Sequence, residues 1–415
     1  MRSLDIGIVG CGTAGPAAAL FLARQGHKIT IYERVTSPTA IGAGIILQPT
    51  GQAVLARLGL AEEVISRGER LDRLKVVRHE AGPLIELTYA DVNPSYFGVG
   101  LHRGVLFSAL YAAVHAEPGV SLELGLACEG LARAPGGRFY VVDEKGDRRG
   151  PHDLVIAADG AKSRFRDDTG LARAAEPYPW GALWFVAKDP KHVFQKRLLQ
   201  TVDGTRRMLG LLPTGVGPDV DGKRGAVPLV SLFWSIDVST VDAWRSSGFD
   251  AWREEIVAMQ PDAEDVVAQI RGPEDVLLSR YHDVVMRPWN TRAVVHLGDS
   301  AHAMSPQLGQ GANLALYDAM ILADALETED GDVVRALHRY SNDRRAHLTY
   351  YETITRALTP FFQSNYDVLG VLRDLAMPLI GRLGPFRKAM ILGMTGTADG
   401  SPFREIDVSA VAKRR

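Results

Sequence analysis

The sequence has few cysteines and lacks any long apolar run. Its 415 residues include only Cys11 and Cys128, and no C-x-x-C pair occurs. Two such residues make no disulfide framework, which is typical of a reducing compartment. No run of about 18 uncharged apolar residues is present, so we expect no membrane-spanning helix. The first residues lack the pattern of a signal peptide, and we therefore expect a cytoplasmic protein.

An excess of charge of one sign is also missing. The formal net charge is −2, which argues against a nucleic-acid-binding protein. Hydrophobic residues make up 46% of the chain, enough for a large buried core. Because 415 residues exceed what one core usually serves, we expect two domains and an extension.

A glycine-rich motif lies close to the N-terminus. The apolar residues 4–9 lead into G-C-G-T-A-G at residues 10–15. A helix of small residues is predicted over 17–25, and a strand over 28–32 ends at Glu33. This order of strand, glycine loop, helix, strand and acid predicts dinucleotide binding.

Each position in this motif has a physical role. Gly10 permits a tight turn, Gly12 lets the backbone approach a pyrophosphate, and Gly15 allows close packing of helix on strand. Glu33, 18 residues after Gly15, is placed to hold a ribose diol.

A second stretch, residues 293–326, has the same strand, loop and helix order. The apolar run 293–297 ends at Gly298-Asp299, and a helical pattern begins at Gly311. The mouth of a helix carries free N–H groups and suits an electron-rich ligand, while Asp299 can accept hydrogen bonds from ligand hydroxyls. The alternative is an ordinary connection in which Asp299 caps a helix.

Together these stretches resemble the p-hydroxybenzoate hydroxylase-like, FAD-dependent aromatic monooxygenases. Residues 153–164, D-L-V-I-A-A-D-G-A-K-S-R, resemble that family's Asp-Gly motif, which lies between FAD and the reducing nicotinamide. Residues 101–103, Leu-His-Arg, precede a predicted helix, and in the family an Arg here approaches the pyrophosphate. The resemblance covers residues 1–395.

The resemblance implies an α/β fold. We expect a Rossmann-like FAD-binding domain of the GR2 type, an inserted mixed β-sheet substrate domain and a C-terminal helical extension. The FAD-binding domain is expected to comprise residues 1–70, 100–172 and 288–345. Residues 71–99 and 173–287 are assigned to the substrate domain. Residues 346–415 are assigned to the helical region, whose apolar faces we expect to cover the FAD-binding domain.

Within the substrate domain, residues 196–202 and 205–212 are predicted to form a hairpin around Asp203-Gly204. Two helices are predicted to follow, over 249–259 and 262–270.

The resemblance also implies an activity. The expected enzyme is a monooxygenase with non-covalent FAD, which hydroxylates an electron-rich aromatic or heteroaromatic small molecule with O2 through a flavin C4a-hydroperoxide. There is a single G-x-G-x-x-G, so NADH or NADPH is expected to dock transiently, and no metal is expected. Alternatives are a related flavoenzyme performing epoxidation, rearrangement or dehydrogenation, with or without a partner reductase, and a non-catalytic scaffold. The protein is expected to be a monomer or a homodimer.

The site residues that follow from this resemblance fall into three groups. The expected FAD contacts are Gly10, Gly12, Thr13, Ala14, Gly15, Glu33, Arg34, Gly44, Ile45, Arg103, Ala127, Asp159, Asp299, Gly311, Ala312 and Asn313. The expected substrate pocket comprises Gln48, Tyr178, Trp184, Leu211, Phe233 and Pro306. Pro306 would also shape the oxygen site. His302 is a candidate catalytic base, or instead supports its loop, and Gln48 is alternatively a cap of the helix that starts at Pro49.

Overall fold

The computed structural model describes residues 2–39, 42–219, 223 and 225–413. The first residue of the expected FAD-binding domain, residues 40 and 41 within it, and the last two residues of the expected helical region lie outside the described residues. So do residues 220–222 and 224 of the expected substrate domain.

The described chain forms the following elements up to residue 169: β1 (Asp5–Val9), α1 (Ala14–Arg24), β2 (Lys28–Glu33), β3 (Gly44–Leu47), α2 (Pro49–Leu58), α3 (Ala61–Ile65), β4 (Glu69–Arg78), β5 (Gly82–Thr88), β6 (Gly98–His102), α4 (Arg103–Ala116), β7 (Val120–Leu124), β8 (Cys128–Arg133), β9 (Phe139–Asp143), β10 (Arg148–His152), β11 (Leu154–Ala157) and α5 (Phe165–Thr169).

The remaining elements are β12 (Ala172–Lys188), β13 (Lys196–Asp203), β14 (Arg207–Pro213), β15 (Leu229–Asp237), α6 (Val241–Ala243), α7 (Phe249–Met259), α8 (Glu264–Val267), β16 (Leu277–Met286), β17 (Val294–His296), α9 (Asp299–His302), α10 (Gly311–Thr328), α11 (Val333–Leu358), α12 (Asp367–Ile380), α13 (Gly384–Thr395) and α14 (Val408–Lys413). Short helical turns lie at Tyr89–Asp91, Pro135–Gly137, Val238–Thr240, Trp244–Gly248, Pro261–Ala263, Pro273–Asp275, Pro306–Leu308 and Thr359–Phe361.

A parallel sheet forms the centre of the N-terminal half. Among the described residues it has five strands, in the order β17-β11-β1-β2-β7. Every adjacent pair is parallel. The strands are apolar because both faces of such a sheet are covered. Alanines of α1 and α10 join the core on one face, and a sheet of β10, β9 and β8 packs on the other.

A large mixed sheet lies beside it. In the described part of the chain its path is β16-β12-β15-β14-β13-β4-β6-β3, and β5 pairs with β4. The predicted hairpin is confirmed: β13 and β14 pair from Leu199 opposite Leu211 to Asp203 opposite Arg207. The predicted helix 249–259 matches α7, whereas the helix expected over 262–270 is a short turn followed by α8. The expected α/β fold class is confirmed.

Two strands lie in the large sheet although most of their residues were assigned to the FAD-binding domain. Strand β3 pairs with β6, from Gly44 opposite His102 to Leu47 opposite Val99. Strand β6 in turn pairs with β4, with Gly100 opposite Glu69. The large sheet therefore extends into the region that the sequence assigned to the cofactor.

The C-terminal helices contact the large sheet as well as the first domain. Nη1 of Arg387, in α13, donates to the carbonyl of Glu86 in β5 at 2.7 Å. Nη1 of Arg373, in α12, donates to the carbonyl of Gly204 at the hairpin tip at 2.9 Å. The helical region therefore also contacts the large sheet, in addition to the FAD-binding domain that we expected it to cover. No helix within the described ranges is both long and apolar enough to cross a membrane.

Candidate active site

A cavity of about 760 Å³ lies where the two sheets meet. One end is formed by the loops that follow three parallel strands. These are residues 12–14 after β1, Ala158 and Gly160 after β11, and residues 297–299 after β17. Ligands of open α/β sheets bind beyond the carboxyl ends of the strands, so this end has the expected position for a nucleotide cofactor.

Two close backbone contacts fix the conformation of the glycine loop at residues 10–15. Gly10 has φ +104°, and a β-carbon there would lie 2.4 Å from the carbonyl oxygen of Ala158. A β-carbon on Gly15 would lie 2.0 Å from the carbonyl oxygen of Gly10. At Gly12, by contrast, a β-carbon would meet no protein atom within 4 Å among the described residues. Gly12, with Thr13 and Ala14, lines the cavity, whereas Gly10 and Gly15 shape the loop from behind.

Glu33 is fixed at the end of β2 beside this loop. Its Oε2 accepts a hydrogen bond from the backbone N–H of Cys11 at 2.8 Å, and its Oε1 accepts from that of Val35 at 3.0 Å. Burial, with a smaller effect of Glu33, raises the pKa of the Cys11 thiol to about 12. This cysteine is therefore protonated at neutral pH, and it serves as a small residue in the loop.

Glu33 does not itself line the cavity, and neither do its neighbours. Arg34 is exposed at the surface. The carbonyl of Glu33 accepts from the N–H of Leu126 at 2.9 Å, which places Ala127 next to the end of β2. The carbonyl of Ala127 accepts from the N–H of Glu144 at 2.9 Å. Neither Arg34 nor Ala127 lines the cavity.

Asp159 carries an unpaired buried oxygen. Its Oδ1 has no hydrogen-bond partner within the described part of the chain. Burial raises the pKa of its carboxyl group, and Ser163 and Arg166 oppose that shift. The Cα atom of Asp159 lies 3.0 Å from the position of a β-carbon on Gly10. A buried acceptor without a donor is costly, so Asp159 fits a ligand group that donates beside the glycine loop.

Asp299 and the start of α10 approach each other across the cavity. Asp299 begins α9 and does not cap α10, whose N-cap is Gln310. Its Oδ1 lies 3.8 Å from the position of a β-carbon on Gly311. Gly311 and Ala312 line the cavity in the first turn of α10, where N–H groups have no carbonyl partner within the helix. Donors and a carboxylate acceptor therefore face the same space.

Asn313 follows Gly311 and Ala312 in α10, but its contacts are hydrogen bonds made by its side chain. Its Oδ1 accepts from the backbone N–H of Gln48 at 2.8 Å. Its Nδ2 donates to the carbonyls of Ile46 at 3.0 Å and Gly309 at 3.1 Å. Asn313 does not line the cavity; it joins the start of α10 to the end of β3.

Arg103 and β3 close this end of the cavity. The side chain of Arg103 packs on Gly42, where a β-carbon would lie 3.0 Å from its Cδ. A β-carbon on Gly44 would lie 2.7 Å from Oγ of Ser231, so β3 could not approach β15 with a larger residue. Arg103, Gly44 and Ile45 all line the cavity. The groups at this end of the cavity fit FAD. They are the cation of Arg103, the N-termini of α1 and α10, the unobstructed backbone at Gly12 and, beside the glycine loop, the unpaired carboxylate oxygen of Asp159.

His302 does not reach the cavity. It is buried, and its Nε2 lies 2.6 Å from Oδ2 of Asp318. Asp318 also accepts from Nε of Arg344 at 2.7 Å and from the N–H of Gly298 at 2.9 Å. Burial lowers the pKa of His302, but the Asp318 carboxylate outweighs it and the net shift is upward. Of the two roles considered for His302, this geometry favours support of the loop.

Two predicted aromatic residues of the large sheet line the cavity. Trp184 in β12 lies opposite Phe233 in β15, and their ring centroids are 5.1 Å apart. The Phe233 ring lies over Gly210, where a β-carbon would be 1.8 Å from its Cζ. Both aromatic side chains line the cavity, as does Pro306 in its helical turn.

Two other substrate candidates, Leu211 and Tyr178, do not line the cavity. Leu211 is 1% exposed and belongs to the core between the large sheet and α7. Its neighbour Leu212 lines the cavity instead, because successive strand residues face opposite sides. Tyr178 lies beside Thr359, at an irregularity of β12, and does not line the cavity.

Gln48 lines the cavity and is also the N-cap residue of α2. Its side chain makes no capping bond to α2. Instead, the hydroxyl of Tyr89 donates to its Oε1 at 2.8 Å, and Tyr89 also lines the cavity. No pattern in the sequence points to Tyr89, because it lies in a short turn 41 residues after Gln48.

No pattern in the sequence predicts that the C-terminal region contributes to the cavity. Nε2 of Gln363 donates to Oγ of Ser235 at 3.1 Å, and its Oε1 accepts from Nε2 of Gln307 at 3.0 Å. Gln363 thereby joins the Pro306 turn to β15 and lines the cavity. Side chains of α12 and α13, described below, line its far end.

Comparisons with known proteins identify a family and several relatives. A family model described as FAD binding domain matches residues 3–353. The probable 2-heptyl-3-hydroxy-4(1H)-quinolone synthase AqdB2 of Rhodococcus erythropolis is 28% identical over 326 residues, covering 78% of this chain and 79% of that protein. The 3-amino-4-hydroxybenzoate 2-monooxygenase PtmB3 of Streptomyces platensis is 28% identical over 409 residues, covering 95% and 97%.

A solved structure shows the same fold. The crystal structure of pqsL, a probable FAD-dependent monooxygenase from Pseudomonas aeruginosa, matches with a TM-score of 0.75 and 23% identity. The match covers 89% of this chain and 100% of that one.

Proposed function

Because the chain belongs to the FAD binding domain family, we propose that it is a monooxygenase that uses NADH or NADPH and O2 to hydroxylate an electron-rich aromatic or heteroaromatic small molecule. The membership confirms the resemblance drawn from the glycine motif and residues 293–326. FAD is the cofactor, and the enzyme class is FAD-dependent monooxygenase. The observation that carries the proposal is one continuous cavity, which joins the cofactor loops to an apolar chamber under the large sheet.

FAD, when bound, supplies the redox chemistry: it accepts two electrons from the nicotinamide and activates O2, so that one oxygen atom enters the substrate and the other leaves as water. The protein's own groups bind and orient it. We assign the pyrophosphate to residues 12–14, at the start of α1, and to Arg103. Glu33 would hold the ribose, and Asp299 the hydroxyls of the ribityl chain. The N–H groups of Gly311 and Ala312 would stabilise negative charge on the reduced ring.

The apolar chamber excludes water from the reaction. Trp184 and Phe233 form its ceiling, and the Phe233 ring is held by its contact with Gly210. Excluding water suppresses unproductive loss of activated oxygen. Pro306 shapes the space between this ceiling and the mouth of α10.

Gln48 and Tyr89 would position the substrate. Burial raises the pKa of Tyr89, so its hydroxyl stays protonated and donates to Gln48. Both residues lie near the cofactor end, because the backbone of Gln48 is bonded to Asn313 in α10. A polar group on the substrate ring would therefore be held close to the flavin.

Three further points belong to the proposal. The first is the division of the chain into a FAD-binding domain, a substrate domain and a helical region, in which β3 and β6 are shared between the first two. A cytoplasmic location is the second, supported by two cysteines that are both free. The third is that the protein is a monomer or a homodimer.

Anaerobic reduction of the FAD-loaded protein tests the function. We expect NADH or NADPH to bleach the flavin absorbance, and a panel of phenols and N-heterocycles to contain members that accelerate the bleaching. Under 18O2, an accelerating compound should gain one labelled oxygen atom. Failure of both nucleotides to reduce a flavin-loaded protein would contradict the proposed electron donor. Reduction followed only by hydrogen peroxide release, with every accelerating compound recovered unchanged, would contradict hydroxylation.

A further inference from the structure

The half of the cavity remote from the cofactor loops is apolar. The large sheet contributes side chains such as Leu74 and Ile85. The C-terminal helices contribute Met377 and Ile380 from α12, and Phe386 and Met390 from α13. These six side chains carry no hydrogen-bonding group that would anchor a polar ligand, so this half suits an apolar one.

The polar groups of the cavity are concentrated near the cofactor. Gln48 is joined to α10 through Asn313, and Gln363 is joined to the Pro306 turn through Gln307. The large sheet contributes further polar lining residues, which are Arg73, Gln200 and, in β16, Ser279 and Tyr281. Arg73 is exposed and paired with Glu86 at 3.0 Å, and Gln200 projects from β13. A ligand that matches this arrangement has a polar ring at one end and an apolar chain at the other.

The lining is unusually rich in methionine. The sequence has nine methionines, and five of those that the structure describes line the cavity: Met208, Met304, Met377, Met390 and Met394. Methionine side chains are flexible and polarisable, and they adapt to irregular apolar shapes. A flexible chain is easier to accommodate against such a lining than against rigid aromatic residues.

The apolar half also reaches the surface. Phe386 and Phe403 line the cavity, yet they are 52% and 62% exposed. Leu383, in the turn before α13 and three residues before Phe386, is 53% exposed. A chain that enters between these residues stays in contact with apolar groups from the surface inwards.

We propose that the substrate is an aromatic compound carrying an extended apolar chain of about five carbons or more. Its ring lies between Gln48 and Gln363, and its chain runs along Met377, Ile380 and Met390 towards Phe386. This inference rests on the proposed function for the identity of the ring, but the chain site itself is a binding property that can be measured without turnover.

A chain-length series tests it. The FAD-loaded protein is titrated by calorimetry with 4-alkylphenols that carry one, three, five or seven carbons. Burial of each methylene should lower Kd about fourfold until the site is filled. The heat-capacity change of binding should become more negative along the same series.

Two substitutions on one helix locate the chain. Met377→Trp fills the apolar half and should weaken binding of the seven-carbon compound at least tenfold, while leaving the one-carbon compound within twofold. Leu375→Trp is the matched control, because Leu375 lies on the same helix, is 65% exposed and does not line the cavity. Met390→Trp, in α13, serves as a second blocking variant if the first does not fold.

The outcomes separate this inference from the proposed function. A Kd that falls with chain length, with the loss confined to the blocking variants, supports the chain site even if none of the compounds is hydroxylated. That result would contradict only the proposed hydroxylation of such rings. A Kd that is the same for one and seven carbons overturns the chain site, even if all four phenols are hydroxylated. Equal losses in Leu375→Trp and the blocking variants overturn it as well.

Discussion

The hydroxyl of Tyr89 donates a 2.8 Å hydrogen bond to Oε1 of Gln48, joining a turn after β5 to the residue between β3 and α2. Gln48 is 1% exposed and Tyr89 is 2% exposed, so both partners are buried at the wall of the cavity. Because the backbone N–H of Gln48 also donates a hydrogen bond to the side chain of Asn313, Gln48 and Tyr89 have a fixed position relative to α10.

Tyr89→Phe should destabilise the protein and impair substrate binding. The substitution leaves Oε1 of Gln48 buried without a donor, which costs about 1–3 kcal/mol in the free energy of unfolding. Urea unfolding measures this loss, and calorimetry measures the Kd of a substrate identified from the panel. Tyr96→Phe is the control, because its hydroxyl donates to Glu405 at 2.7 Å and Tyr96 does not line the cavity. It should lower stability without changing that Kd; an unchanged Kd for Tyr89→Phe would contradict a role in positioning.

Asp299→Ala should weaken FAD binding. Removing a charged acceptor from ligand hydroxyls costs about 1.5–3 kcal/mol, which is roughly a tenfold to hundredfold rise in the Kd of FAD. Flavin fluorescence during titration of the apoprotein measures it. Asp250→Ala, an exposed aspartate in the first turn of α7, should leave the Kd unchanged. An Asp299→Ala protein that purifies fully yellow, with the wild-type Kd, would remove Asp299 from the cofactor site.

His302→Gln should flatten the pH dependence of stability. The Asp318 carboxylate outweighs burial and raises the pKa of His302 above its ordinary 6.5. The stabilisation by protonated His302 is therefore fully present below pH 6.5 and is lost as the pH rises through the folded pKa. Wild-type stability should fall across this alkaline window, whereas His302→Gln should not show that component.

The same titration gives an internal control at the partner residue. Asp318→Asn removes the carboxylate that raises the pKa of His302, so it should flatten the same part of the curve. Adding His302→Gln to Asp318→Asn should then produce no further flattening. Parallel urea-unfolding profiles for the wild type and His302→Gln from pH 6 to 9 would contradict the assignment.

Leu211→Ala and Leu212→Ala should have different effects, although both side chains are almost fully buried. Leu211 packs in the core beneath α7, and its truncation should cost about 2–5 kcal/mol of unfolding free energy. Leu212 borders an existing cavity, so its truncation should cost less but weaken substrate binding. Urea unfolding and substrate calorimetry on both variants distinguish the two faces of β14. The reverse pattern would show that the strand faces are misassigned.

The parts of the site that depend on local backbone demands could be predicted from the sequence. Only glycine satisfies the close approaches at Gly10 and Gly15, so their spacing in sequence carries the geometry of the loop. Asp299 and Gly311 were recognisable for a similar reason, since a strand exit and a helix mouth have characteristic residues.

The parts that depend on tertiary placement could not be predicted in the same way. Strand alternation predicts two faces on β14 but does not say which one is turned to the cavity, and this is why Leu211 was chosen over Leu212. Tyr89 and Gln363 enter the site from segments whose local sequence specifies only a turn. Met377 and Met390 face the cavity because their helices dock on the large sheet. Helix α12 binds the hairpin tip through Arg373, and α13 binds β5 through Arg387.

The pairing of β3 with β6, and of β6 with β4, bears on how specificity can be exchanged between relatives. Ile45 lines the cofactor end of the cavity, yet its strand is hydrogen-bonded into the sheet that roofs the substrate end. A chimaera that replaced only residues 71–99 and 173–287 would place its crossover points inside β4, β6 and β12. Recombination breakpoints at 43/44, 102/103, 171/172 and 286/287 would instead transfer every strand of the large sheet intact, and would leave the glycine loop and α10 with their own parent.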